Sequence, residues 1–168
     1  MTALLVRPAA PGEEGLVLSF IRELAAYEEL LDEACVSAED VRLALFGVPP
    51  RASCEIVEAD GRPVGMALWF YNFSTFKGRP GLYLEDLYVR PEARGRGAGK
   101  ALLEALARRC LAEGLPRMDW VVLNWNAPSI AFYDRLGAER LDGWTTRRLS
   151  GRALRRLAGA PDEAPLDP

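Results

Sequence analysis

The segment Leu82-Tyr83-Leu84-Glu85-Asp86-Leu87-Tyr88-Val89 runs into Arg94-Gly95-Arg96-Gly97-Ala98-Gly99-Lys100, which opens onto a helical pattern lasting to Glu113. No other feature constrains the chain as much. A strand, a glycine-rich loop and a helix start in that order aim several main-chain N–H groups and the positive end of a helix dipole at one point. Such a nest suits a diphosphate. Three loop types compete for it. A P-loop needs a leading glycine and a hydroxyl after its lysine. Here Arg94 and Ala101 hold those positions. The dinucleotide fingerprint needs a third glycine where Lys100 stands, within an early parallel βαβ unit. A hairpin signal at Asp60-Gly61 lies upstream instead. The third form, Arg94-x-x-Gly97-x-Gly99, fits.

The flanking chain supplies the frame. Residues 4–7 read as a strand, and residues 13–31 carry Leu16, Val17, Phe20, Ile21, Leu24 and Tyr27 at helical spacing. Ser37-Ala38-Glu39-Asp40 resembles a capped helix start that ends near Gly47. Strands are expected at 53–59, 64–70, 82–89, 118–123 and 144–149. Asn126 sits at an N-cap position and Pro128 in the first turn of a helix reaching about Leu136. A short helix is expected at 152–158. The order implies an α/β (α+β) fold, a mixed sheet with helices on both faces. Residues 1–158 are expected to form one domain. Residues 159–168 are expected to be a disordered tail.

Composition excludes several functions. There is no histidine among the 168 residues, so no imidazole base is available and the commonest metal ligand is missing. The three cysteines, Cys35, Cys54 and Cys110, form no paired motif, and no metal site is expected. A net charge of −3 argues against general nucleic-acid binding. No apolar run is long enough to span a membrane, and the N-terminus lacks a signal-peptide pattern, so a cytoplasmic protein is expected.

The glycine loop resembles the pyrophosphate-binding loop of the GNAT acetyltransferase superfamily. Asn126-Ala127-Pro128-Ser129-Ile130-Ala131-Phe132-Tyr133 followed by Leu136-Gly137-Ala138 resembles a second signature of that superfamily. Tyr83-Leu84-Glu85-Asp86, Trp125-Asn126-x-Pro128-Ser129 and Arg22-Glu23-Leu24-Ala25-x-Tyr27-Glu28 look like the spermidine/spermine (diamine) and thialysine N-acetyltransferase branch. The resemblance implies a GNAT fold with about six to seven strands, two of them splayed to admit acetyl-CoA. It implies cofactor contacts from Leu87, Tyr88 and Val89, from Arg94, Gly95, Arg96, Gly97, Ala98, Gly99 and Lys100, and from Asn126, Ser129, Tyr133 and Arg135. It also implies a homodimer.

An alkylamine is protonated at neutral pH and must lose a proton before it attacks a thioester. Glu85, working through a water, is the expected base, and the resemblance implies Tyr133 as the acid for the departing thiolate. Strict alternation puts Tyr83, Glu85 and Leu87 on one face of their strand and Leu84, Asp86 and Tyr88 on the other. The candidate amine-binding residues are Tyr27, Glu28 and Asp142, which the resemblance to the diamine branch implies, together with Glu85 and Asp119. The loop Thr75-Phe76-Lys77-Gly78-Arg79 lacks an acidic residue and carries two cations. That favours a lysine-like amino acid such as thialysine over a long polyamine. The competing readings are a GNAT enzyme acting on protein lysines or N-termini, and a non-catalytic acyl-CoA-binding regulatory domain.

Overall fold

A computed structural model describes residues 3–161. The chain divides into two compact units, Met1–Val121 and Val122–Pro168.

The first unit is built on a five-stranded sheet in the order β1-β2-β3-β4-β5. The strands are β1 (Leu4–Pro8), β2 (Ser53–Ala59), β3 (Arg62–Ser74), β4 (Arg79–Val89) and β5 (Met118–Asp119). The first four pair antiparallel, and β5 joins β4 in parallel. The Asp60-Gly61 turn has both residues at positive φ, 50° and 75°, as a two-residue hairpin loop requires. Three helices complete the unit: α1 (Glu14–Tyr27), α2 (Ala38–Phe46) and α3 (Ala98–Glu113). The start of α2 is fixed by the expected reciprocal cap, with Asp40 in place of the usual Glu: Ser37 Oγ accepts from the Asp40 N–H, and Asp40 Oδ2 accepts from the Ser37 N–H at 2.9 Å.

The strand register shows which face each helix covers. Ile56, Met66 and Tyr88 are cross-strand partners and share a core with Val17 and Phe20 of α1 and with Val41 and Leu45 of α2. Glu55 and Trp69 point the other way, toward α3: Arg109 of α3 bonds Glu55 at 3.2 Å and lies 4.9 Å from the Trp69 ring centroid. Helices therefore cover both faces of the sheet, as expected.

The second unit holds α4 (Ala127–Arg135) and α5 (Gly151–Leu157). The expected count of six to seven strands is corrected to five among the described residues. The segment expected at 118–123 is a strand only over Met118–Asp119, and 144–149 is not a strand. A strand needs a pairing neighbour, and residues 144–149 have none. Trp144 and Leu149, at the ends of that segment, are exposed. The expectation for the tail falls outside the described residues from position 162 onward.

Candidate active site

The site begins with an irregularity in β4. Leu68 of β3 pairs with Asp86, but its neighbour Trp69 pairs with Leu84, so Glu85 is an extra residue in the ladder. This is a β-bulge, and it breaks the alternation on which the face assignment rested. Leu84 follows Trp69 to the α3 face, whereas Tyr83, Asp86 and Tyr88 follow Phe70, Leu68 and Met66 to the α1 face. The placement of Tyr83 with Leu87, and of Leu84 with Asp86, is thereby corrected.

The bulge also sets the direction of the main chain. The Arg90 N–H donates to Val64 O on β3 at 2.9 Å. Because strand N–H and C=O groups alternate in direction, Tyr88 also faces β3, and Leu87 and Val89 face the opposite edge. On that edge β5 pairs only with Leu82 and Tyr83. Beyond Tyr83, no strand among the described residues covers it. Val89 O accepts a bond from Arg94 Nε at 2.9 Å.

The glycine loop follows directly. Gly95 and Gly97 have φ of +72° and +89°, and Gly97 is the left-handed N-cap of α3, with no side chain capping it. The first helical bond runs from the Ala101 N–H to Gly97 O at 2.8 Å, leaving the N–H groups of Ala98, Gly99 and Lys100 without helical acceptors. A Cβ at Gly95 would meet no atom of the chain, and one at Gly97 would stop 3.7 Å from Leu4. Positive φ, not crowding, therefore requires glycine at both positions. Arg94, Arg96 and Lys100 add positive charge at the loop and are exposed. An uncapped helix start among three cations fits a diphosphate.

Four carboxylates lie on the same unit. Glu85 is exposed at the bulge. Asp86 is half-buried and takes no hydrogen bond from the described residues; burial, then the charges of Glu85 and Glu28, push its carboxyl up to about 6. Burial raises Glu28 as well. The Tyr83 phenol is raised by burial, then by Glu85 and Asp119, so it lies in the field of both. Its ring packs on Phe70 with centroids 5.1 Å apart. Asp119 Oδ2 accepts from Asn72 Nδ2 at 3.2 Å and forms an ion pair with Arg117 Nε at 2.8 Å. Tyr27, at the end of α1, lies beneath Arg94, whose guanidinium carbon is 4.6 Å from its ring centroid.

The first unit thus brings together Tyr27, Glu28, Glu85, Leu87, Tyr88, Val89, residues 94–100 and Asp119. In the second unit, Asn126 caps α4, its Oδ1 accepting the Ser129 N–H at 3.3 Å. Tyr133 is half-buried with its ring 5.3 Å from that of Phe132, and Arg135 is exposed in the last turn. Asp142 is exposed and paired with Arg140 at 3.2 Å. Sequence reasoning missed Phe70, Asn72 and Arg117, and it turned Asp86 to the same face as Leu84. An unpaired β4 sequence carries no sign of a bulge. The alternation of Arg117 and Asp119 was a usable signal.

A model of the acetyltransferase (GNAT) family matches residues 20–138. The chain belongs to this family. It is an acetyltransferase, and relatives similar to it along almost their whole length include two enzymes of one name. The thialysine N-epsilon-acetyltransferase of Bos taurus is 40% identical over 170 residues, covering 95% of this chain and 99% of that protein. That of Caenorhabditis elegans is 32% identical over 151 residues, covering 88% and 92%. An integron cassette protein of V. cholerae shares the fold, with a TM-score of 0.79 at 24% identity over 94% of this chain and 98% of the other.

Proposed function

We propose that this GNAT enzyme transfers the acetyl group of acetyl-CoA to the primary amine of a small molecule. The acceptors considered are a diamine, a polyamine, thialysine or another lysine-like amino acid, and the lysine-like class is preferred. One observation carries the reading. On β4, an acidic pair at a bulge is followed by an open main-chain edge, and that edge leads into an uncapped, cation-ringed helix start.

Acetyl-CoA supplies an activated acetyl thioester. The N–H groups at 95–100, with Arg94, Arg96 and Lys100, would hold its diphosphate. The main chain of Leu87, Tyr88 and Val89 offers donors and acceptors to its amide-bearing arm. Asn126, Ser129, Tyr133 and Arg135 are assigned to the cofactor on the family motif around them. Glu85, through a water, takes the proton of the substrate ammonium, and the freed nitrogen lone pair forms the new amide bond. The Tyr133 phenol gives a proton to the departing sulfur. Tyr27, Glu28, Glu85 and Asp119 face the amine; Asp142 is assigned there with them.

The family match crosses the division between the two units, which supports reading residues 1–158 as one functional domain. No described helix is long and apolar enough to cross a membrane. A cytoplasmic homodimer is part of the proposal. The names of the relatives support a lysine-like acceptor over a polyamine, as do Lys77 in the β3–β4 loop and Arg79 at the start of β4.

A thiol-release screen tests the function, with acetyl-CoA against thialysine, lysine, diamines, polyamines, aminoglycosides and a lysine-containing peptide. Turnover concentrated on lysine-like amino acids is expected. Preference for the peptide would favour a protein acetyltransferase. No turnover with any amine would favour a binding domain.

A further inference from the structure

The strand register places a second charged pair one subsite away from the bulge. Asp119 is the cross-strand partner of Tyr83, two residues before Glu85, or about 7 Å along the strand. In the same row across the sheet as Asp119, the Tyr83 and Phe70 rings form an apolar floor on the α1 face, with Tyr83 the nearer. Arg117 lies two residues from Asp119 and is ion-paired with it at 2.8 Å.

This pair is seated firmly and faces outward. Asn72 Nδ2 holds Asp119 Oδ2. A Cβ at Gly81 would lie 2.5 Å from Asn72 Oδ1 and 3.3 Å from Arg117 Cγ, so glycine makes room for both side chains. Asp119 Oδ1 and the terminal nitrogens of Arg117 take no hydrogen bond among the described residues. The two side chains are 27% and 42% exposed.

We propose that Arg117 and Asp119 form a head-group subsite that selects an ω-amino α-amino acid, Arg117 taking the α-carboxylate and Asp119 the α-ammonium. The assignment rests on the amine acetyltransferase reading above. The lengths agree: five single bonds separate the lysine Cα from Nζ, about 6 Å when extended. An acceptor with its ω-amine at Glu85 would therefore set its head group at Asp119. A planar guanidinium can bind a carboxylate through two donors, which a diamine cannot use.

The test compares kcat/KM for thialysine, cadaverine (which lacks the carboxylate) and ε-aminocaproate (which lacks the α-ammonium). In Arg117→Gln the thialysine-to-cadaverine ratio is expected to fall at least about tenfold, chiefly through KM, with partial rescue in Arg117→Lys. In Asp119→Asn the thialysine-to-aminocaproate ratio is expected to fall similarly. Unchanged ratios, with all acceptors losing equally or none losing, would overturn the subsite while leaving the acetyltransferase reading intact. Failure of that reading would appear in the wild-type enzyme, as no thiol release with any of the three acceptors, and would overturn the subsite with it.

Discussion

The guanidinium of Arg94 lies 4.6 Å from the ring centroid of Tyr27, while its Nε holds Val89 O at 2.9 Å. One side chain thus joins the end of α1 to the open edge of β4 at the entrance to the glycine loop. It also lies 5.8 Å from the Tyr88 ring centroid. An exposed cation–π contact contributes about 0.5–1 kcal/mol. Arg94→Ala should therefore raise KM for the amine as well as for acetyl-CoA, and Tyr27→Ala should do the same to a smaller degree. Kinetics of both single variants and the double variant check this. The two substitutions should be non-additive by a factor of about two to five.

The pH–rate profile should carry the mark of the bulge. The amine must lose its own proton, so log kcat/KM rises with unit slope up to about pH 10. Asp86 titrates near 6 beside Glu85. Below that pH Asp86 takes up a proton and the charge beside Glu85 is lost, so the slope should steepen toward two. Asp86→Asn should restore unit slope in the acid limb. A wild-type profile of unit slope throughout would show that the charge of Asp86 does not act on the reaction.

Asp86 should also cost stability. Its folded pKa lies above its usual value because burial disfavours the charge. The folded state therefore binds the proton more tightly than the unfolded chain does. The penalty is full above about pH 6 and is relieved as pH falls through 6 toward 4. Asp86→Asn should raise stability by about 1–2 kcal/mol at pH 8 and by little at pH 4. Urea denaturation at the two pH values measures it. Asp86 takes no hydrogen bond among the described residues and costs stability when charged, which matches a carboxylate kept for function.

On the opposite face, Arg109 bonds the buried carboxylate of Glu55 at 3.2 Å and Glu113 at 3.0 Å. Burial raises Glu55 even with this cation beside it. Arg109→Met would leave the carboxylate uncompensated, and a loss of about 2–3 kcal/mol is expected at pH 8. The loss should shrink at a lower pH such as 5, because burial raises the Glu55 carboxyl and favours its neutral form. Adding Glu55→Gln to the variant should recover part of the loss at pH 8. Thermal melts at both pH values decide the matter.

Much of this architecture was legible in the residues. Ser37 with Asp40, Asp60-Gly61, Asn126 with Pro128, and the glycine loop are local devices whose backbone needs are written in their own side chains. They marked element boundaries to within a few positions. The bulge at Glu85 was not legible, because a bulge is a property of two strands and only β4 was in view. The same limit hid Asn72 over Gly81 and the Phe70–Tyr83 floor, which arise from cross-strand register. Residues 144–149 have strand-like composition, but no strand among the described residues pairs with them. Composition alone cannot show whether a strand finds a partner.

The central claim is that main-chain amides at the start of α3 hold the diphosphate of acetyl-CoA. Gly97, at φ +89°, shapes that nest. A side chain there costs about 1–2 kcal/mol in backbone strain. Calorimetric titration of the purified protein with acetyl-CoA tests the claim most directly. The account predicts saturable one-to-one heat in the wild type and at least about tenfold weaker association in Gly97→Ala while the fold persists. No heat of association with acetyl-CoA in the wild type, or undiminished affinity in Gly97→Ala, would contradict it.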